Sequence, residues 1–285
     1  MDNTVMQSYD WWPSPAKLNL FLHILGRYEN GYHQLQTLFQ ILDRGDELAF
    51  ELVSSNDITL SPSIPGVNDE DNLIIKAAKL LREHCGINRG VNIFLRKNLP
   101  MGGGIGGGSS NAATVLVALN ALWNCKLDTS ELAALGLKLG ADVPIFVEGH
   151  TSFAGGVGEA ITATELNEQW YLVVNPGIHV GTADIFRESS LPRNTPAIEW
   201  DNYTFDATHN DCQTIVCDRH PEVALLLQWL LQFAPSRMTG TGACVFAIFS
   251  DEISARRVLD TLPGKWTGFV AKGVNTSPLL QKLKP

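Results

Sequence analysis

No stretch of this sequence approaches the roughly 18 apolar residues of a membrane-spanning helix. The amino terminus, MDNTVMQSYDWWPSP, has neither a basic n-region nor an apolar h-region. Neither a membrane partner nor a secretory leader is therefore expected. Cysteine is sparse: five residues, at 85, 125, 212, 217 and 244, an odd number with no C-x-x-C and no zinc-type spacing. Neither a disulfide framework nor a metal cluster is indicated, and the usage fits a reduced, cytoplasmic setting. Basic residues are also short, 21 Lys and Arg against 30 Asp and Glu, for a formal net charge of -9. That balance argues against nucleic acid as a partner, because its backbone calls for a basic face. An anionic small ligand stays open where a local positive site overrides the global field.

What the chain does have is material for a core. Its 285 residues are 45% hydrophobic and 18% charged, enough for one large domain or two ordinary ones. Residues 1–12 read as a short extension. From Ala16 to Ile24 apolar and polar residues roughly alternate (AKLNLFLHI), which predicts a strand with Lys17, Asn19 and Phe21 on one face. Asn30-Gly31 is a turn signal, and LQTLFQILDRGDELAFEL continues as strand with a turn at Arg44-Gly45-Asp46. Asp71 or Asn72 caps a predicted helix whose face holds Ile74, Ala77, Ala78, Leu81 and Cys85, with Gly86 as its stop. The strand VNIFLRKN leads to a glycine loop, behind which Ala112, Val115, Leu116, Leu119, Leu122 and Trp123 recur at helical spacing. Asp128 and Glu131 have capping-box spacing for a helix over ELAALGLKL, ended by Gly140. ADVPIFVEGHTSFAGGVGE opens with an acid beside a proline and runs into a strand and a second glycine cluster. Downstream, WYLVV reads as a strand and TADIF as a capped segment. PEVALLLQWLLQF, ACVFAIF, DEISARRVLDTL and WTGFVAK then read as helix, strand, helix and strand. Helix and strand alternate in both halves, and the polar ATELNEQ stretch places a boundary near residue 162, giving units 1–162 and 163–285.

The loop within LPMGGGIGGGSSNAAT has glycine at six of the seven positions from Gly102 to Gly108. Each glycine costs roughly 0.5–1 kcal/mol relative to alanine in a regular element, so something needs the bare backbone. Lying between a strand and a helix, the loop brings the helix's unpaired N–H groups and positive dipole end up to an anion with no Cβ in the way. That is a phosphate cradle; a flexible linker is the plain alternative. Walker A fails, because Ser109 stands where its lysine belongs. Gly102, Gly104 and Gly107 satisfy G-x-G-x-x-G. The acid that follows, Asp128, belongs to a helix cap, however, which argues against a nicotinamide dinucleotide site.

Pro15-Ala16-Lys17-Leu18-Asn19, PMGGGIGGGSSNAAT and Gly240-Thr241-Gly242-Ala243-Cys244 together resemble the three motifs of the GHMP kinases. PAKLNLFLHILGR, NGYHQLQTLF, LGADVPIF and TGTGACVFAIF spread the resemblance over most of the chain, with Tyr28, Asn30 and Thr239 as slight departures. The resemblance implies an α+β, two-domain GHMP kinase fold. Its N-terminal ATP-binding domain would be like the second domain of ribosomal protein S5, its C-terminal domain ferredoxin-like, and both substrates would lie in the cleft between. It implies ATP as co-substrate with Mg2+ arriving on it. The implied reaction is phosphoryl transfer to the 2-hydroxyl of a cytidine diphosphate-linked methylerythritol, in the nonmevalonate route to isoprenoid precursors.

On that resemblance Asp142 is the base and Lys17 its electrostatic partner, although by spacing alone Asp142 could be a simple cap and Lys17 a solvated strand residue. The nucleotide would be held by Asn72, Lys97, Pro100, Met101, Gly102, Gly103, Gly104, Ile105, Gly106, Gly107, Gly108, Ser109 and Ser110. Tyr32 and Phe186 would stack on the cytosine, an arrangement worth about 1–3 kcal/mol per base. His33 would read its edge, and Asn19 and Thr182 would hold the erythritol or diphosphate portion. No sequence rule identifies magnesium ligands. The alternatives are another GHMP kinase, acting on mevalonate, homoserine or a sugar, and a noncatalytic nucleotide-binding protein.

Overall fold

In the computed structural model, which describes residues 9–29 and 31–283, the alternating amino-terminal segment is a long strand, β1 (Trp12–Arg27). It pairs antiparallel with β2 (His33–Val53). Lys17 and Asn19 share a face, the lysine Nζ donating to Asn19 Oδ1 at 2.6 Å. Asn30, half of the expected turn, and residues 1–8 of the expected extension lie outside the described residues. Residues 9–12 are not an extension: Tyr9 stacks on Phe94 with ring centroids 4.4 Å apart, and Trp12 is buried edge-on to Phe50.

The turn expected at Arg44-Gly45-Asp46 is a bulge inside β2. The register jumps from Pro15↔Gly45 to Lys17↔Ile41, and a side chain at Gly45 would collide with the Ser14 carbonyl. The glycine is what lets the two backbones close up there.

The chain continues through β3 (Ile58–Ser61), α1 (Leu73–His84), β4 (Gly90–Arg96), α2 (Gly107–Leu122), α3 (Thr129–Leu137) and α4 (Val143–Glu148). Then come β5 (Ser152–Gly155), β6 (Ala160–Ala163), β7 (Trp170–Asn175), α5 (Thr182–Arg187), α6 (Gln213–Arg219) and α7 (Pro221–Leu230). The last elements are β8 (Ser236–Met238), β9 (Val245–Phe249), α8 (Glu252–Leu259), β10 (Thr267–Val274) and α9 (Pro278–Leu283). α1 starts at Asn72, whose Oδ1 accepts from the Ile74 N–H, and buries Ile74, Ala77, Ala78 and Leu81 as expected. α3 has the expected capping box but ends at Leu137, before Gly140. In ADVPIFVEGHTSFAGGVGE the strand expected there is β5, and the acid and proline ahead of it open the helix α4, with Pro144 in its first turn and Val143 to Val147 buried. A short apolar run cannot be told from a buried helix by period, and proline at a helix start favours the helix.

Among the described residues the sheet runs β3-β4-β2-β10-β7-β9-β8, with β1 and β5 also pairing with β2, and β6 with β5. A boundary at 162 falls within β6. The two halves are stitched together: Gly273 and Val274 of β10 pair with Leu42 and Ile41 of β2. Leu279 of α9 lies in the apolar cluster of the N-terminal half, with α1, α2 and α4. β1 serves three clusters, through Trp12, then Ala16, Leu18, Leu20 and Phe21, then Leu22 and Ile24. A strand covered on both faces reads as a nearly continuous apolar run, which is why its polar members Lys17 and Asn19 stand out.

Candidate active site

β4 delivers the chain to Lys97, and the glycine loop carries it to α2. Much of the bare backbone is needed by the protein itself. Gly104 has φ +73, and a Cβ there would lie 2.5 Å from the Thr239 carbonyl oxygen and 2.9 Å from that of Gly242. Gly106, the α2 N-cap at φ +75, has no room for a side chain against the Phe146 ring at 2.6 Å. The loop is thus pressed main chain to main chain against residues 239–244 and β1, through Cys244 N–H to the Gly103 carbonyl at 3.1 Å and Lys17 N–H to the Ile105 carbonyl at 3.0 Å. Ser110 N–H donates to the Gly106 carbonyl at 2.8 Å. Gly107, Gly108 and Ser109, whose N–H groups precede the first intrahelical donor, Ser110, line the cleft. These three fit the expected cradle.

Asp46 pins the stem of the loop. It is buried, accepts from the N–H groups of Asn98 and Leu99 at 2.8 Å each, and takes Asn111 Nδ2 at 3.1 Å and Lys97 Nζ at 2.8 Å. Lys97 also donates to the Leu99 carbonyl at 2.6 Å and lines the cleft. Its ammonium is therefore held in place by a buried acid.

Lys17 is almost fully buried, and its Nζ faces three oxygens: Asn19 Oδ1 at 2.6 Å, the Gly104 carbonyl at 3.0 Å and Asp142 Oδ2 at 3.3 Å. Asn19 is fixed in turn, Nδ2 donating to Thr37 Oγ1 at 2.8 Å and its backbone N–H to Thr239 Oγ1 at 2.9 Å. Asp142 occupies the N-cap position of α4 yet makes no capping hydrogen bond with its side chain. That carboxylate is 40% exposed where Lys17 is 3%, so the acid of the pair is the member a ligand can reach.

These groups open onto one cleft of about 600 Å³. Of the expected residues, Lys17, Asn19, Asn72, Lys97, Pro100 to Ser109, Asp142, Thr182 and Phe186 line it. Asn72 does two things, since its Oδ1 caps α1 while its Nδ2 is buried without a hydrogen-bond partner in the protein. Thr182 Oγ1 lies 2.9 Å from Thr241 Oγ1, tying α5 to residues 239–244.

Three expected residues do not line the cavity. Ser110 is wholly buried and takes a hydrogen bond from Ser14 Oγ at 2.9 Å, because the second residue of the pair turns inward on the helix. Tyr32, at the end of the β1–β2 connection, is 65% exposed. His33 sits behind Phe186, their rings stacked at 5.0 Å and 27°, with Nε2 accepting from Arg193 Nε at 3.1 Å. Burial, then Arg193 and Arg27, pushes the His33 pKa below its ordinary value. Asp46, Asn111 and Arg193 were missed by sequence reasoning. Asp46 lay in the supposed turn, and Arg193 lies in a segment with no periodicity.

The region matching the GHMP kinases N terminal domain is residues 72–150, and that matching the GHMP kinases C terminal domain is 206–267. A 4-diphosphocytidyl-2-C-methyl-D-erythritol kinase from Pseudoalteromonas atlantica is 62% identical over 277 residues, covering 97% of each chain. The chain belongs to this kinase family. A family member from Hahella chejuensis is 56% identical, with 95% of each chain covered. A crystal structure of 4-(cytidine 5'-diphospho)-2C-methyl-D-erythritol kinase superposes with a TM-score of 0.83 at 32% identity, over 93% of this chain and 100% of that one. The α+β architecture is accordingly that of the GHMP kinases. Within the family framework, the glycine loop, residues 239–244 and the PAKLN segment of β1 are the three motifs, and the hydrogen bonds above bind them into one wall of the cleft.

Proposed function

We propose that this chain transfers the γ-phosphoryl group of ATP to the 2-hydroxyl of 4-diphosphocytidyl-2-C-methyl-D-erythritol, as a cytoplasmic step of the nonmevalonate route to isoprenoid precursors. We take residues 1–162 as its ATP-binding part. The observation that carries the reading is the Lys17–Asp142 pair, 3.3 Å apart, beside the N-terminus of α2 and in the same cleft as Phe186 and Thr182.

Phosphoryl transfer passes through a loose transition state, so positioning and charge stabilisation matter more than a strong base. The triphosphate rests on the N–H groups of Gly107, Gly108 and Ser109, with Lys97 as a fixed positive charge and Asn72 Nδ2 as a donor to the nucleotide base. Asp142 accepts the proton of the attacking hydroxyl. Lys17 offsets the negative charge that gathers on that oxygen and on the transferred group. A metal ion supplies further charge neutralisation at the phosphates. Among the described residues no cluster of three His, Cys, Asp or Glu could hold a metal, which suits Mg2+ bound chiefly by phosphate and water. Ser109 Oγ and Asp142 offer hard oxygens to such an ion. At the acceptor end we assign cytosine to Phe186 and Tyr32, its edge to His33, and the polyol and diphosphate to Asn19 and Thr182.

Turnover of ATP with cytidine-bearing and cytidine-free alcohols tests the assignment. Phosphorylation of the cytidine-bearing compound is expected, and turnover on the cytidine-free alcohols alone overturns it. Asp142→Asn should lose about 10²–10⁴ in kcat while ATP affinity is retained, and unaltered turnover removes Asp142 from the role of base.

A further inference from the structure

The start of α2 holds a cation that it should repel. Lys97 Nζ lies 3.6 Å from where a Cβ on Gly107, the first residue of the helix, would stand. A helix N-terminus carries about half a positive charge and disfavours a second one. The lysine side chain is 25% exposed, and an ammonium on a flexible stem is strongly hydrated, so without a partner it would turn outward to water.

Asp46 is that partner. Its side chain has no exposed surface. Oδ1 accepts from the N–H groups of Asn98 and Leu99, and Oδ2 from Asn111 Nδ2 and Lys97 Nζ. Four donors fill the lone-pair sites of the carboxylate, which is thus oriented by the loop stem and by α2 at once. Asn111 is held in turn, its Oδ1 accepting from Ser14 Oγ of β1 at 2.7 Å. A buried carboxylate needs a paired cation as much as the cation needs it. Of the three ammonium N–H groups, one goes to Asp46 and one to the Leu99 carbonyl. The third is left for a ligand in the cleft that Lys97 lines beside Gly107, Gly108 and Ser109.

We propose that Asp46 is a positioning residue for the nucleotide: it holds the Lys97 ammonium against the positive end of α2, so that the cation and the helix N–H groups meet the phosphates together. The cradle is then complete before ATP arrives, and binding does not have to order it. Asp46→Asn isolates this role. The remaining Oδ1 still accepts from the Asn98 and Leu99 N–H groups, while the amide NH2 in place of Oδ2 faces the ammonium and the Asn111 amide, donor against donor. The inference rests on the proposed ATP site and not on the acceptor, and its test separates the two.

Calorimetric titrations with ATP and with adenosine compare wild type, Asp46→Asn, Lys97→Met and the double variant. Each single variant should bind ATP about tenfold or more weakly, through loss of a charge-assisted hydrogen bond, with adenosine affinity unchanged. The double variant should bind ATP within about threefold of Lys97→Met, because residues acting as one unit are not additive. An acid that only braced the fold would cost the same factor in both backgrounds. In NMR of the nucleotide-free enzyme the Lys97 ammonium signal, identified by its absence from Lys97→Met, should be visible through slowed proton exchange and should shift on adding ATP. ATP affinity retained in Asp46→Asn, or a full further loss when that change is added to Lys97→Met, overturns the proposal and leaves Lys97 in the nucleotide site. Unaltered ATP affinity in Lys97→Met removes both. Wild-type enzyme inactive on the cytidine-bearing alcohol refutes the acceptor, while the ATP titrations still decide Asp46. Should Asp46→Asn fail to fold, the wild-type ammonium signal decides, and its absence overturns the proposal.

Discussion

At the residue scale, the site is built from side chains that each satisfy a structural demand and leave one group over for a ligand. Asn72, which lines the cleft, shows this most simply, with Oδ1 in the α1 cap and a buried Nδ2 that has no hydrogen-bond partner in the protein. Asn72→Asp keeps the capping oxygen and removes the donor. The melting temperature should stay within a few degrees, because replacing a cap costs about 1 kcal/mol only when its oxygen is lost, while the Kd for ATP, read by calorimetry, should weaken about tenfold through loss of a hydrogen bond. Lys17→Met should lower kcat by about a hundredfold or more, measured by ADP release, since it removes the charge beside Asp142. Lys17 and Asp142 were legible as candidates from their motifs. That Asp142 sits at a helix cap without capping it was not, because both roles call for an acid before an apolar turn.

At the scale of elements, the glycine loop is a packing device as well as a cradle. Gly104 is the critical position, with positive φ and two carbonyl oxygens in the way of a Cβ. Gly104→Ala should cost about 1–3 kcal/mol and push residues 239–244 off the loop. A drop in melting temperature, with ATP turnover reduced even at low temperature, checks it. The sequence signalled that bare backbone was required, and the anion was the reason it suggested. The contact with Thr239 and Gly242 lies more than a hundred residues away along the chain and left no local trace. α4 is no clearer locally: Val143 to Val147 are all apolar and buried, and in so short a run period does not tell helix from strand.

At the scale of the molecule, the segment around residues 203–211 docks on β1 and buries a histidine. His23 is 2% exposed, and its pKa falls from 6.5 to about 4 through burial first, then the neighbouring His209, with Asp211 opposing and Arg237 adding to the shift. The unfolded chain takes up this proton near pH 6.5, while the native chain refuses it until about 4. Stability is therefore complete above the unfolded value and falls as pH drops toward the folded one, by about 2 kcal/mol between pH 6.5 and 5. Urea midpoints across that range should show the loss, and His23→Gln should flatten it. By itself the sequence determined the alternation of helix and strand, through periodicity, and the motif residues whose resemblance pointed to the family, because period and short-range spacing are local properties of a chain. Only the tertiary structure decided that the glycines serve a distant loop, that Asp46 anchors Lys97, and that Arg193 reaches His33. Those contacts join residues dozens to hundreds of positions apart, and no local pattern encodes which distant backbone will arrive beside a given side chain.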